Sequence, residues 1–194
     1  MKKLFSIGLF LFFIFIVSEF TFSKKNIIPG IEQISDYSKY LKNKNIAIVS
    51  NHSSVVKGQH IIDILDKMNI NILKIFTPEH GFSGSYDAGK FVNDSLYLNK
   101  IPIISLYGKN KKPNKNDLKD IEILLFDLQD IGVRFYTYIS TLHFVMEACA
   151  ENDIPILILD RPNPNIDYID GPILKNEFNS FVGIHPVPIV YGMT

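Results

Sequence analysis

The sequence predicts an α/β fold with a doubly wound, mainly parallel sheet and helices on both of its faces. Short apolar runs, rich in Ile and Leu, recur along the chain and alternate with segments of helical periodicity. The runs are mostly continuous rather than alternating in polarity, which is typical of strands buried on both faces of a parallel sheet. The alternation of the two patterns along the chain favours the doubly wound arrangement.

Five apolar runs are the predicted strands, and two periodic segments are the predicted helices. The strands are expected at residues 46–49, 72–76, 101–106, 121–126 and 154–159. The helices are expected at 58–68 and 140–152, because apolar side chains recur there at helical spacing. Ser140 or Thr141 can cap the second helix. Residues 31–44 are predicted as a preceding helix or cover.

Residues 1–23 have the layout of a secretory signal peptide. Lys2 and Lys3 precede an apolar run over residues 4–17, and the small-x-small triplet at 21–23 follows. The run is shorter than the roughly 20 apolar residues that a membrane-spanning helix needs. We therefore expect an exported protein, periplasmic or extracellular, without a stable membrane span after the signal is removed. Residues 24–194 would then form the folded domain, and an uncleaved anchor is the alternative.

The composition bears on partners and redox chemistry. The 20 basic and 20 acidic side chains balance, so the sequence lacks the basic excess of a nucleic-acid-binding protein and no nucleic-acid partner is expected. Cys149 is the single cysteine, which excludes an internal disulfide. It stands in an apolar helical stretch, where a buried thiol is expected rather than a nucleophile. The sequence indicates no oligomeric state.

Polar side chains follow four of the five predicted strands at their carboxyl ends. These segments are residues 50–54, 77–84, 127–138 and 160–165. Ligands of open α/β sheets bind at this edge, so the four segments predict a site there. His185 lies in a loop before the last apolar run and is expected at the same rim.

Several kinds of site do not fit these segments. No glycine follows the first strand until Gly58, so neither a dinucleotide site nor a P-loop is expected. The G-x-S-x-G elbow of a serine hydrolase is absent. His52, His80, Asp127 and Asp160 do not have the spacing of a known metal-ligand pair. We therefore expect no cofactor and no metal, and a metal-dependent hydrolase is a weaker alternative.

Carboxylates, aromatic rings and amides together suit a carbohydrate ligand. Cleavage of a glycosidic bond needs a protonated carboxyl that donates to the leaving oxygen, and a second group that acts at the anomeric carbon. Glu79 stands in a tight loop between Pro78 and His80, with Phe82 nearby. A partly apolar pocket would raise its pKa and suit it as a general acid. A Glu at a helix start or in a surface salt bridge is an equal alternative.

The neighbouring polar residues also have two interpretations each. Tyr136 and Tyr138 can stack on a sugar face or pack in the core. Arg134 can bind a substrate carboxylate in a bidentate fashion or pair with Asp127 or Asp130. Residues alone do not decide between these interpretations.

Four longer motifs resemble the NamZ-type exo-β-N-acetylmuramidase family, formerly a domain of unknown function. They are TPEHGFSG at 77–84, FDLQDIGVRFYTY at 126–138, LDRPNP at 159–164 and VGIHPVPIVYGMT at 182–194. They occur in the order expected for the family, and the resemblance extends over residues 26–194.

The resemblance implies a Rossmann-like catalytic domain that is followed, in the family, by a smaller C-terminal domain. That second domain is absent here, so we expect the chain to be part of a longer protein. The implied activity releases N-acetylmuramic acid from the non-reducing ends of peptidoglycan fragments, with Glu79 as the catalytic acid. A second catalytic carboxylate stays open among Asp127, Asp130, Asp160 and Asp170. A muropeptide-binding module without turnover is the alternative function.

The expected substrate, muramic acid, offers an explanation for these residue types. Its lactyl carboxylate calls for a cation, which Arg134 or Arg161 can supply, and its N-acetyl group can itself attack the anomeric carbon. The candidate catalytic residues are Glu79, Asp160 and Asp127. The candidate substrate-binding residues are Asn51, His52, His80, Asp130, Arg134, Tyr136, Tyr138, Arg161, Asn163 and His185.

Overall fold

The computed structural model describes residues 27–87, 89–90, 95–97 and 100–194. The predicted signal peptide at residues 1–23 lies outside the described residues. Within the described ranges, no helix has both the length and the apolar character needed to cross a membrane.

Regular elements in the described ranges follow the predicted alternation of strands and helices. The strands are β1 (Asn45–Ser50), β2 (Val55–Val56), β3 (Gln59–His60), β4 (Asn71–Thr77), β5 (Ser95–Tyr97), β6 (Ile101–Ser105), β7 (Ile123–Asp127), β8 (Ile156–Ile158), β9 (Ile169–Asp170) and β10 (Val190–Tyr191). The helices are α1 (Ile34–Leu41), α2 (Ile61–Lys67) and α3 (Tyr138–Glu151), with short 3₁₀ helices at Gly30–Glu32 and Asn176–Phe178.

Six of these strands form one sheet in the order β5-β6-β4-β1-β7-β8. All neighbours are parallel except β5, which runs antiparallel to β6. Counted along the chain, the parallel strands stand in the order third, second, first, fourth, fifth, as in Rossmann-type sheets. The predicted fold class is confirmed, and the strand order reverses between β1 and β7.

Helices cover both faces of this sheet, as predicted. On one face, α1 and α2 bury Leu41 and Leu65 in a cluster that includes Ile48 of β1. On the other face, α3 buries Val145 in a cluster that includes Val49 of β1. Successive side chains of a strand point to opposite faces, so a continuously apolar strand supplies both cores.

Cys149 lies on the buried side of α3, where it is 1% exposed. Burial raises the pKa of its thiol to about 11, so it stays protonated at neutral pH. The prediction of a buried core thiol is confirmed.

The predicted boundaries of the strands shift by one or two residues. The antiparallel strand β5 was not predicted, because this edge strand has no continuous apolar run and Leu96 is 54% exposed. The predicted helix at 58–68 begins only at Ile61, since residues 55–60 form the hairpin of β2 and β3. The last apolar run, which follows His185, forms only the two-residue strand Val190–Tyr191, and this strand pairs antiparallel with Ile169–Asp170.

The predicted cap of the second helix is wrong. Helix α3 begins at Tyr138, and Thr137 occupies the N-cap position without a capping hydrogen bond from its side chain. Ser140 and Thr141 lie buried inside the first turn, and Thr141 Oγ1 donates to the Thr137 carbonyl over 3.2 Å. The Thr137 hydroxyl is directed instead to a carboxylate outside the helix, which is Glu79.

Candidate active site

A row of buried polar side chains ends four neighbouring strands. Ser50 of β1 is in register with Asp127 of β7, and Thr77 of β4 is in register with Ser105 of β6. All four residues are buried. Polar segments that the sequence placed after separate strands therefore meet at one edge of the sheet, beside the reversal of strand order where such sheets bind ligands.

Glu79 lies just beyond this row, two residues after the end of β4. The chain reverses direction there through His80 and Gly81, whose φ angles of 72° and 73° are both left-handed. Glycine adopts this conformation readily, whereas a residue with a side chain such as His80 seldom does. A hydrogen bond from Gly81 N to the Pro78 carbonyl closes the turn over 3.1 Å. Glu79 itself is only 8% exposed.

The Glu79 carboxylate accepts hydrogen bonds from two other segments and lies beside a third. The backbone N–H of Gly89 donates to Oε1 over 3.0 Å, and Thr137 Oγ1 donates to Oε2 over 2.9 Å. The Tyr107 side chain lies beside this carboxylate and helps to lower its pKa. Thr137 stands at the N-terminus of α3, where the helix dipole favours a negative charge. The carboxylate is therefore held at a fixed position.

These contacts overturn the expectation that the pKa of Glu79 is raised. Burial is the largest single influence and does raise this pKa, because it disfavours the charged form. The hydrogen bonds from Gly89, Thr137 and Tyr107, with the nearby charge of His80, together outweigh burial and hold the pKa below its ordinary value of 4.5. In the absence of ligand, Glu79 is therefore a carboxylate at neutral pH.

Asn51 and Tyr138 form a buried support next to Glu79. Asn51 Nδ2 donates to the Tyr138 hydroxyl over 2.8 Å, and both residues are almost completely buried. The ring of Tyr136 lies 4.5 Å from that of Tyr138, centroid to centroid. Burial, then Tyr136 and, to a smaller extent, the charge of Glu79 raise the pKa of Tyr138. The geometry favours the structural interpretation of Tyr138, while a binding role for Asn51 and Tyr136 stays a prediction.

Asp127 and Arg161 bind each other in a bidentate ion pair. Arg161 Nε lies 2.6 Å from Oδ1, and Nη2 lies 3.0 Å from Oδ2. The side chain of Asp127 is 0% exposed and that of Arg161 is 9% exposed. Ser54 Oγ also donates to the backbone carbonyl of Asp127 over 2.7 Å. This geometry favours a structural role for both residues, and their assignment to catalysis and binding stays a prediction.

Asp130 and Asn163 belong to a second group at the ends of β7 and β8. Asp130 Oδ2 accepts from Gly132 N over 3.1 Å and from the Tyr191 hydroxyl. Asn163 is 4% exposed, and its Nδ2 donates to the Met193 carbonyl over 2.7 Å.

Asp130 and Asn163, together with Asp160 and Arg161, line a mostly apolar cavity of about 480 Å³. Glu79 is not among the lining residues. Tyr138 lines the cavity and also lies close enough to Glu79 for the charge of Glu79 to raise its pKa. We centre the active site on Glu79, because its buried carboxylate is held by donors from two other segments, beside the row of polar strand ends.

The remaining candidates lie at several places around this edge. The ring of His52 lies against Gly84, so closely that a side chain at position 84 would overlap it. His80 Nδ1 lies 2.7 Å from the Tyr86 carbonyl. The ring of His185 lies 5.1 Å from that of His143, and its pKa is lowered by burial and by His143.

Arg134 contacts neither of its expected carboxylate partners. Its Nη1 donates to the carbonyls of Pro172 and Val187 over 2.9 and 2.6 Å. Among the second carboxylates left open, Asp160 is exposed at the cavity, and Asp170 is exposed and accepts from the Tyr168 hydroxyl over 2.6 Å. No cluster of three or more His, Cys, Asp or Glu that could hold a metal ion occurs in the part of the chain that is described.

Thr137 and Tyr107 are site residues to which the sequence assigned no role. Both touch the Glu79 carboxylate, from the start of α3 and from the loop after β6. A signal for Tyr107 was available, because it follows the third predicted strand at the carboxyl edge of the sheet. Thr137 lies in one of the polar segments but resembles an ordinary helix start.

Comparison with known proteins shows to which family the chain belongs. Residues 46–194 match the family model described as exo-beta-N-acetylmuramidase NamZ, N-terminal. The chain belongs to this NamZ N-terminal family. The resemblance found in the four sequence motifs is thereby confirmed.

Relatives in the NamZ family are longer than this chain. The peptidoglycan beta-N-acetylmuramidase NamZ of Bacillus subtilis (strain 168) is 44% identical over 181 residues, which are 90% of this chain and 43% of that protein. Two crystal structures of DUF1343 family proteins from Bacteroides fragilis NCTC 9343 each superpose with a TM-score of 0.74. They are 47% and 38% identical and match 87% and 85% of this chain, but only 44% and 42% of their own. The chain thus spans less than half the length of these relatives.

Proposed function

We propose that the protein is an exo-β-N-acetylmuramidase that releases N-acetylmuramic acid from the non-reducing ends of peptidoglycan fragments. The Glu79 carboxylate carries this proposal, because it is held by Gly89 and Thr137 at the ligand-binding edge of a Rossmann-type sheet. Membership of the NamZ family and the name of the Bacillus subtilis relative support the substrate class.

The chemistry requires Glu79 to take up a proton when substrate binds. Hydrolysis adds hydroxide from water to the anomeric carbon and a proton to the leaving oxygen, so a group at the bond must deliver that proton. Burial already raises the pKa of Glu79, and only the hydrogen-bond donors and His80 keep it low. A sugar that covers the carboxylate increases its burial and competes for these donors. Both changes raise the pKa toward the range of a general acid.

The cation for the lactyl carboxylate of muramic acid is proposed to be Arg134 rather than Arg161. Arg161 is already neutralised by Asp127, to which it binds through two hydrogen bonds. Arg134 donates to two neutral carbonyls, so its positive charge stays available for an anion. The sequence left the two arginines equal as candidates for this role.

The site of action is proposed to lie outside the cytoplasm. Lys2, Lys3 and the apolar run at 4–17 have the layout of an export signal. Periplasmic or extracellular localisation suits a peptidoglycan-derived substrate. No cofactor enters this chemistry.

Turnover of a natural disaccharide tests the proposal. The chain is incubated with N-acetylmuramyl-β-1,4-N-acetylglucosamine, and the two monosaccharides are quantified by chromatography. We expect equal amounts of both sugars to appear, with no loss of rate in a chelator. Sugar binding by calorimetry without any product would instead support a muropeptide-binding module. Loss of the rate in chelator would support a metal-dependent hydrolase.

A further inference from the structure

Three half-buried rings form an aromatic strip that leads away from Glu79. The strip begins at Tyr107, which lies close enough to the Glu79 carboxylate for the two groups to shift each other's pKa. It continues to Phe181 and Phe144, with ring centroids 5.9 Å and then 6.1 Å apart. None of the three rings belongs to either hydrophobic core cluster or to the side chains packed against those clusters. Packing of the two cores therefore does not account for the strip.

The strip is assembled from three distant parts of the chain. Tyr107 follows β6, Phe144 projects from α3, and Phe181 belongs to the irregular segment before β10. The rings of Phe144 and Phe181 are nearly parallel, with an angle of 14° between their planes. Both rings are partly exposed, and a partly exposed aromatic ring offers a surface on which a sugar can stack.

A cation stands over this strip. The ammonium of Lys111 lies 4.7 Å from the centroid of Phe181. Lys111 is exposed, and it makes no ion pair with a carboxylate in the described part of the chain. Its flexible side chain can move aside for a stacked ligand and still present a positive charge next to it.

We propose that the aromatic strip binds the sugar on the reducing side of the cleaved bond. This inference rests on the proposed function, since it takes the Glu79 carboxylate as the position of the glycosidic oxygen. An enzyme that removes a terminal sugar must leave the reducing side open for the rest of the polymer. The strip starts beside Glu79 at Tyr107, and its half-buried rings suit the C–H-rich face of a sugar. The charge of Lys111 complements the carboxylates of the next muramyl unit.

Two substrates and one substitution separate this role from a structural one. The natural disaccharide reaches the strip, whereas methyl β-N-acetylmuramide carries only a methyl group on that side. We expect Phe181→Ala to lower kcat/KM for the disaccharide about tenfold, mainly through KM, and to leave kcat/KM for the methyl glycoside nearly unchanged. Phe181→Tyr keeps a ring and should retain the wild-type preference. Phe178→Ala is the matched control, because Phe178 is 65% exposed in the same segment and lies outside the strip.

An equal loss for both substrates, or a loss for neither, overturns the proposal. Binding supplies a test that does not depend on turnover. In the Glu79→Gln chain, calorimetry should find that Phe181→Ala weakens the affinity for the disaccharide about tenfold. Unchanged affinity refutes the strip as a subsite, whatever the catalytic activity. If wild type binds the disaccharide through Phe181 but does not cleave it, the proposed hydrolysis fails while the subsite stands.

Discussion

Replacing Glu79 by Gln is expected to lower kcat for the muramyl disaccharide by about a thousandfold. The amide has nearly the same shape as the carboxyl group but cannot deliver a proton to the leaving oxygen. KM should change little, because the loss concerns the transition state rather than ground-state binding. Product release measured by chromatography gives the rate, and circular dichroism checks that the fold is kept.

Glu122→Gln is the matched control for this experiment. The Glu122 carboxylate accepts from the backbone N–H of Asn45 over 2.8 Å, much as Glu79 accepts from Gly89. Asn45 begins β1, so this carboxylate lies at the opposite edge of the sheet from the site. The control should keep the wild-type rate. A Glu79→Gln chain that is as active as the control would remove Glu79 from the mechanism.

Replacing Asp127 by Asn is expected to destabilise the fold by about 3–5 kcal/mol, because it leaves the Arg161 guanidinium buried without a counter-charge. Urea unfolding measures this loss. The double variant Asp127→Asn, Arg161→Leu should recover a large part of it, since a buried ion pair is often replaced by apolar side chains at little cost. The turnover of the folded fraction should stay close to that of wild type.

Two comparisons make this prediction specific. Lys112 bridges Glu147 and Glu151 at the surface, and Lys112→Met should leave the urea midpoint nearly unchanged because exposed ion pairs are screened. A catalytic Asp127 would give the opposite pattern, in which Asp127→Asn loses turnover while its urea midpoint is unchanged. That result would restore Asp127 as the second carboxylate.

The sequence predicted the sheet well because its signal is local. Continuous apolar runs such as 46–49 are typical of a strand buried on both faces, and the structure places β1 there. The edge strand β5 was not predicted, because Leu96 is exposed and the residues around it form no continuous apolar run. The position of Glu79 at the carboxyl edge of the sheet followed from its place directly after the second predicted strand.

The environment of Glu79 was not predictable by the same means. Its donors Gly89, Tyr107 and Thr137 come from three segments, and each donor depends on how its loop returns over the sheet. The spacing of residues along the sequence does not show that these loops meet, so the predicted direction of the pKa shift of Glu79 is wrong. The pairing of Asp127 with Arg161 was easier to predict, because the two residues stand at the ends of neighbouring parallel strands. The sequence still did not decide which partner each arginine takes.

The ionisation of Glu79 with and without a sugar tests the central claim most directly. The carboxyl carbon of Glu79, labelled with carbon-13 and assigned by comparison with Glu79→Gln, is followed by NMR as pH is changed. The titration is repeated with a sulfur-linked analogue of the disaccharide, which resists hydrolysis. We expect a pKa below 4.5 in the free chain and a clearly higher pKa in the complex. A pKa that stays the same or falls when the analogue binds would contradict the role of Glu79 as the proton donor.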